Sequence, residues 1–159
     1  MSIGLYPGTF DPITFGHIDI VIRASKIFTK VVVVIADNPN KKCLFSADER
    51  LNFAINCLKN YSNVEVIKYG GLVIDAVAQT EASTIIRGLR ALSDFDYEFQ
   101  MAFTNRQLND NVETIFLMPS SQYTYLSSSL VKQLTRFGGN VDSFVAPIVA
   151  DALKKKYKD

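Results

Sequence analysis

Short apolar runs alternate along this chain with segments of helical periodicity, and that alternation limits the fold to very few architectures. The runs Ile3–Tyr6, Val31–Ala36, Val64–Tyr69, Thr84–Arg87 and Thr114–Met118 read as strands. Between them, Ile18, Val21, Ile22, Ser25 and Phe28 recur at helical spacing, as do Leu51, Phe53, Ala54 and Leu58. Ser46-Ala47-Asp48-Glu49 predicts a capping box, and Ser93-Asp94-Phe95-Asp96 a weaker one that starts the fourth helix. A further helix is predicted over Ser127–Phe137, stopped by Gly138-Gly139, and Pro147 opens a last one that runs into Lys154-Lys155-Lys156. Near-continuous apolar strands joined by helices need burial on both sheet faces, which right-handed crossovers provide. The expected fold is α/β, a Rossmann-like doubly wound five-stranded parallel sheet with helices on both faces.

With 159 residues, 48% of them hydrophobic, the chain is expected to form a single domain over 1–159 with a substantial core. Its 17 Lys and Arg nearly balance its 16 Asp and Glu, which gives no support to a nucleic-acid or membrane-surface partner. The longest apolar stretch, Val31–Ala36, is too short to span a bilayer. The first strand begins too early to leave room for a signal peptide. Cys43 and Cys57 show neither metal-ligand spacing nor a disulfide framework. A cytoplasmic location is the default expectation.

In a parallel sheet, ligands bind beyond the carboxyl ends of the strands. The unusual polar residues all fall on that edge. Thr9 and His17 follow the first strand, Lys41 and Lys42 the second, and Gly70-Gly71 the third; Arg87 and Arg90 follow the fourth, and Tyr123 to Ser129 the fifth. Gly8-Thr9-Phe10-Asp11-Pro12-Ile13-Thr14-Phe15-Gly16-His17 sets the only histidine in the first turn of a helix, behind a glycine-punctuated loop. Free N–H groups and a positive dipole end favour an anion there, and the imidazole adds a donor. His17 could equally be a helix-start residue bonded to a carboxylate or a carbonyl. Arg87 and Arg90 could hold separate phosphates or pair with Asp94 or Asp96. Glu98 suits either a sugar hydroxyl or the orientation of an arginine. Lys41 and Lys42 suit a phosphate contact or ordinary loop solubility. One of Ser127, Ser128 and Ser129 must cap the helix they open; together they could also form an anion site. Tyr123 and Tyr125 could line a base pocket or simply pack.

Several chemistries lack their parts. The first strand is not followed by Gly-x-Gly-x-x-Gly, and neither a Walker loop nor Gly-x-Ser-x-Gly occurs in the chain. A single histidine and two scattered cysteines do not build a common transition-metal site. What remains is a phosphate-binding edge with no evident nucleophile.

Tyr6-Pro7-Gly8-Thr9-Phe10-Asp11-Pro12 with Thr14-Phe15-Gly16-His17 resembles the (H/T)xGH motif of the nucleotidyltransferase superfamily, and Ser127-Ser128-Ser129-Leu130-Val131-Lys132 resembles its second motif. Asn38-Pro39-Asn40-Lys41-Lys42, Ile86-Arg87-Gly88-Leu89-Arg90, and Asp94-Phe95-Asp96-Tyr97-Glu98 followed by Asn105-Arg106 narrow the resemblance to the phosphopantetheine adenylyltransferase family. It covers essentially the whole chain. Departures are small: Asp96 where the family usually has Glu, Leu126 for Ile, and Val73 for a longer apolar side chain.

The resemblance implies transfer of AMP from ATP to 4′-phosphopantetheine, giving dephospho-coenzyme A and pyrophosphate, with Mg²⁺ required and its ligands unspecified. It implies that His17 stabilises the transition state. ATP would contact Thr9, Phe10, His17, Gly88, Leu89, Arg90, Glu98 and the stretch Tyr123, Thr124, Tyr125, Leu126, Ser127, Ser128 and Ser129. Phosphopantetheine would contact Thr9, Lys41, Val73 and Arg87. A homohexamer and feedback inhibition by coenzyme A are further implications. The aromatic excess of the fourth helix (Phe95, Tyr97, Phe99, Met101, Ala102, Phe103) independently points to a covered second face. The competing readings are a transferase acting on nicotinamide mononucleotide or a phosphoalcohol, and a nucleotide sensor without turnover.

Overall fold

The computed structural model describes residues 2–38, 40–90 and 92–158. Among these, β1 (Ile3–Gly8), β2 (Lys30–Ala36), β3 (Val64–Tyr69), β4 (Thr84–Gly88) and β5 (Glu113–Leu117) form one sheet in the order β3-β2-β1-β4-β5. All pairings are parallel, with Ile3 opposite Lys30 and Gly4 opposite Thr84 flanking the central strand. The helices are α1 (Phe15–Ala24), α2 (Ala47–Leu58), α3 (Val73–Thr80), α4 (Leu92–Leu108), α5 (Ser128–Arg136) and α6 (Pro147–Lys156).

Successive strand residues point to opposite faces, so a strand buried on both sides must be apolar throughout. Tyr6, Val31, Val33, Ile35 and Ile86 face one cluster, which gathers Ile20 and Val21 of α1, Phe53 and Ala54 of α2, Val131 of α5 and Leu153 of α6. Leu5, Val32, Val34 and Ile85 face a smaller cluster closed by Ala76 and Val77 of α3. The expected doubly wound sheet is the one observed.

Two local expectations shift. The Ser93–Asp96 motif does not begin the fourth helix, because α4 already runs from Leu92 and Ser93 lies inside its first turn. The short α3, which follows Gly70-Gly71, carries no side-chain cap at Leu72, and so had no start signal to read. Pro39, part of the asparagine–lysine motif, lies outside the described residues. The α4 aromatics stand out from the core, with Tyr97 62% and Phe103 52% exposed. Phe95 stacks on Phe99 at a centroid distance of 5.3 Å, and Phe103 meets Phe99 edge-on at 4.7 Å.

Gly4 faces the larger cluster at a point where its neighbours fill the side-chain space: a Cβ there would lie 2.6 Å from Ile86 Cδ1 and 2.9 Å from Phe28. Gly4→Ala should therefore lower unfolding stability by about 1–3 kcal/mol through overpacking. Urea denaturation checks this, and an unchanged midpoint would show that Ile86 and Phe28 can give way at little cost.

Candidate active site

A cleft of about 480 Å³ opens at the carboxyl ends of β1 and β4, where the sheet order reverses direction. It is lined by the β1 loop, the start of α1, Lys41 to Cys43, the end of β4, and Leu126 to Ser129. Thr9, Phe10, His17, Lys41, Arg87, Gly88, Arg90, Glu98, Tyr123, Leu126, Ser127, Ser128 and Ser129 converge there. Leu89, Thr124 and Tyr125 are adjacent in sequence but do not line it, and Tyr125 is 86% exposed. Val73, at the first turn of α3, packs against the smaller core cluster and lies outside the cleft.

The histidine is held by a capping box in which imidazole takes the usual place of a glutamate. Thr14 caps α1 by accepting from the His17 N–H at 3.4 Å, and the Thr14 N–H donates back to His17 Nδ1 at 3.0 Å. A backbone N–H can only donate, so Nδ1 is the unprotonated nitrogen and Nε2 carries the hydrogen. The Phe10 ring meets the imidazole edge-on at a centroid distance of 5.0 Å. Phe10 itself sits at φ 48°, in the left-handed region, and its ring closes over Gly8, where a Cβ would come within 2.7 Å of it. Burial, reinforced by the positive charge of Arg90, lowers the His17 pKa to about 4. At neutral pH His17 is a fixed, uncharged Nε2–H donor.

The two arginines are aimed by carboxylates of α4. Arg87 donates from Nε and Nη2 to the two oxygens of Glu98, both at 2.6 Å, and from Nη1 to Pro7 O at 2.9 Å. Three of its five N–H groups are thus committed, leaving two for a ligand. Glu98 thus orients Arg87. Arg90 pairs with Asp94 at 3.2 Å and donates to Leu126 O, which ties α4 to the loop before α5. Ser127 is the cap of α5 through Leu130 N–H, and the Ser128 hydroxyl donates to Pro12 O at 2.8 Å. Lys41 Nζ reaches Thr9 Oγ1 at 3.4 Å. Burial raises the Tyr6 pKa above its ordinary range, so its hydroxyl lines the cleft protonated.

Sequence reasoning missed Asp11 as a structural centre. Its buried carboxylate accepts from Leu44 N–H and Phe45 N–H at 2.9 Å each and from Lys132 Nζ at 2.8 Å, joining the β1 loop, the Lys41–Phe45 segment and α5. Lys132 also lines the cleft. Asp11 stood inside the first motif and Lys132 inside the second, but only the fold brings their ends together. Both cleft carboxylates are committed, Asp11 to Lys132 and Glu98 to Arg87. Among the described residues, no group of three or more His, Cys, Asp or Glu is placed to hold a metal ion.

The cytidylyltransferase-like family matches residues 5–134, which include both motifs, Gly8–His17 and Ser127–Lys132. A phosphopantetheine adenylyltransferase of Alkaliphilus metalliredigens is 53% identical over 156 residues, covering 98% of this chain and 99% of that protein. One from Caldanaerobacter subterraneus subsp. tengcongensis is 50% identical over 158 residues, covering 99% of each. The chain belongs to the phosphopantetheine adenylyltransferase family. Membership makes it an enzyme of the nucleotidyltransferase class. A solved structure from Vibrio parahaemolyticus, assigned as a nicotinate-nucleotide adenylyltransferase, superposes with a TM-score of 0.74 at 16% identity, covering 100% of this chain and 97% of that one. At that identity the likeness concerns the fold alone. Among the described residues, no helix is long and apolar enough to cross a membrane.

The sole histidine makes the imidazole directly measurable. Its NMR titration should show the Nε2–H tautomer at pH 7 and a midpoint near pH 4 rather than the ordinary 6.5. Because the folded pKa is the lower one, His17 stabilises the fold fully above about pH 6.5. That contribution falls away as the pH drops from there through about 4, at up to about 1.4 kcal/mol per pH unit. A midpoint near 6.5 would mean that the ring is neither desolvated nor held.

Proposed function

We propose that this cleft joins ATP to 4′-phosphopantetheine, releasing pyrophosphate and forming dephospho-coenzyme A. The observation that carries the reading is the neutral, capping-box-held His17, facing a cleft whose other walls bring Lys41, Arg87, Arg90 and Lys132. The attacking group is the acceptor's own phosphate, anionic at neutral pH, so no protein base is required. In-line attack forms a P–O bond to the α-phosphorus and breaks the bond to the pyrophosphate, with no covalent enzyme intermediate. His17 Nε2–H donates to an α-phosphate oxygen as charge builds there, and the cations offset repulsion between two polyanions.

Thr9, Lys41 and Arg87 take the acceptor phosphate, and Val73 lies toward the pantetheine arm. Thr9, Phe10, His17, Gly88, Leu89, Arg90, Glu98 and Tyr123 through Ser129 (including Thr124, Tyr125, Leu126, Ser127 and Ser128) take ATP. Because both cleft carboxylates are already paired, Mg²⁺ enters on the triphosphate as part of the nucleotide substrate. Coenzyme A, which shares the product's phosphopantetheine arm, inhibits by occupying the same cleft.

His17→Ala should lower kcat by about 100- to 1000-fold with ATP affinity nearly intact; an unchanged kcat would remove His17 from the chemistry. Between pH 5.5 and 8 the rate should show no fall attributable to imidazole deprotonation, since the donor is already neutral. Arg87→Ala should raise KM for phosphopantetheine, and a normal KM would place the acceptor elsewhere. Pyrophosphate release with ATP, Mg²⁺ and either 4′-phosphopantetheine or nicotinamide mononucleotide tests the acceptor itself.

The assembly is proposed as a homohexamer in which the exposed Phe95–Phe99–Phe103 row of α4 meets a neighbour. Light scattering at micromolar concentration should give a mass near six chains, reduced by Phe99→Glu. A wild-type monomer would overturn it.

A further inference from the structure

Arg50, on the first turn of α2, is a buried cation with no evident reason to be one. Only 3% of it is exposed, and among the described residues no carboxylate lies within ion-pair distance. A desolvated guanidinium is costly unless its donors are satisfied. Here the partners are three main-chain carbonyls: Nε donates to Phe45 O at 3.2 Å, and Nη1 donates to Thr9 O at 2.7 Å and to Ala36 O at 2.9 Å.

Those three carbonyls frame the loops of the cleft. Thr9 belongs to the β1 loop. Ala36 ends β2 and leads into the segment that carries Lys41 and Lys42, and Phe45 closes that same segment. One guanidinium therefore holds both ends of the lysine loop to the backbone of Thr9. Asp11 adds a second tie between the same parts, accepting from Leu44 N–H and Phe45 N–H. Across the gap so defined, Lys41 Nζ meets Thr9 Oγ1 at 3.4 Å. Arg50 does not itself line the cleft.

We propose that Arg50 is a positioning residue that sets the Thr9–Lys41 spacing, and through it the affinity for the acceptor phosphate. The proposal rests on the reading that Thr9 and Lys41 take that phosphate. A planar fork that joins three carbonyls in fixed directions is something a lysine ammonium does not reproduce. Arg50→Lys therefore keeps the charge and loses the geometry.

The test uses the full chain with Arg50→Lys, and with Arg50→Gln as a second variant that keeps two N–H donors without the charge. In the ligand-free proteins, hydrogen exchange should quicken at residues 9–11 and 44–45 while the sheet interior keeps its protection. In steady state with ATP and Mg²⁺, KM for 4′-phosphopantetheine should rise roughly tenfold, and by clearly more than KM for ATP, which depends on Thr9 but not on Lys41. In a Lys41→Ala background, Arg50→Lys should add less than about twofold, because the spacing then has nothing to position. An equal rise in both KM values, a fully additive effect with Lys41→Ala, or unchanged exchange would overturn the proposal. Absence of wild-type turnover with 4′-phosphopantetheine would refute the acceptor reading instead, leaving the exchange measurement to decide the positioning role by itself.

Discussion

The central strand β1 has no free side. It is hydrogen-bonded to β2 along one edge and to β4 along the other, and its inner residues Leu5 and Tyr6 are buried in opposite layers. A strand so enclosed can express polarity only beyond its ends. At its carboxyl end the flanking β2 and β4 finish at the same level, with Gly8 opposite Ile35 and Arg87 close by through its bond to Pro7 O. The cleft is the place where an apolar sheet runs out of sheet, and Thr9, His17, Lys41, Arg87 and Arg90 gather there.

This explains why the site is built mostly from main-chain atoms and their partners. Thr14 N–H defines the tautomer of His17, Pro7 O and Glu98 aim Arg87, and Leu126 O anchors Arg90. His17, Arg87 and Arg90 have their directions set before a ligand arrives, which is the condition for electrostatic stabilisation without reorganisation. The cost is borne in buried polar contacts, and these are satisfied: no buried side-chain nitrogen or oxygen among the described residues lacks a partner.

Much of this was legible in the residues. Apolar runs with two buried faces leave a plain signal, so the sheet and its ligand edge could be read from Val31–Ala36 and its counterparts. Thr9, His17, Arg87 and Ser127 sit in local patterns whose chemistry is carried within a few positions. The missing parts are those whose meaning is non-local. Asp11 depends on Lys132, 121 positions away, and Arg50 on Thr9 O, 41 positions away. Nothing near Arg50 in sequence distinguishes it from a solvated helix-face arginine. The start of the short α3 was illegible for a different reason, since Leu72 offers no capping side chain.

The 17-residue α4 is a single rigid body about 25 Å long. Glu98 and Asp94, which grip Arg87 and Arg90, lie on the same rod as the aromatic row Phe95, Phe99 and Phe103. Glu98 and Phe99 are consecutive residues. A rod cannot shift its outer face and keep its inner face still. A displacement of the aromatic row along that rod would carry with it the two carboxylates that aim the guanidinium groups.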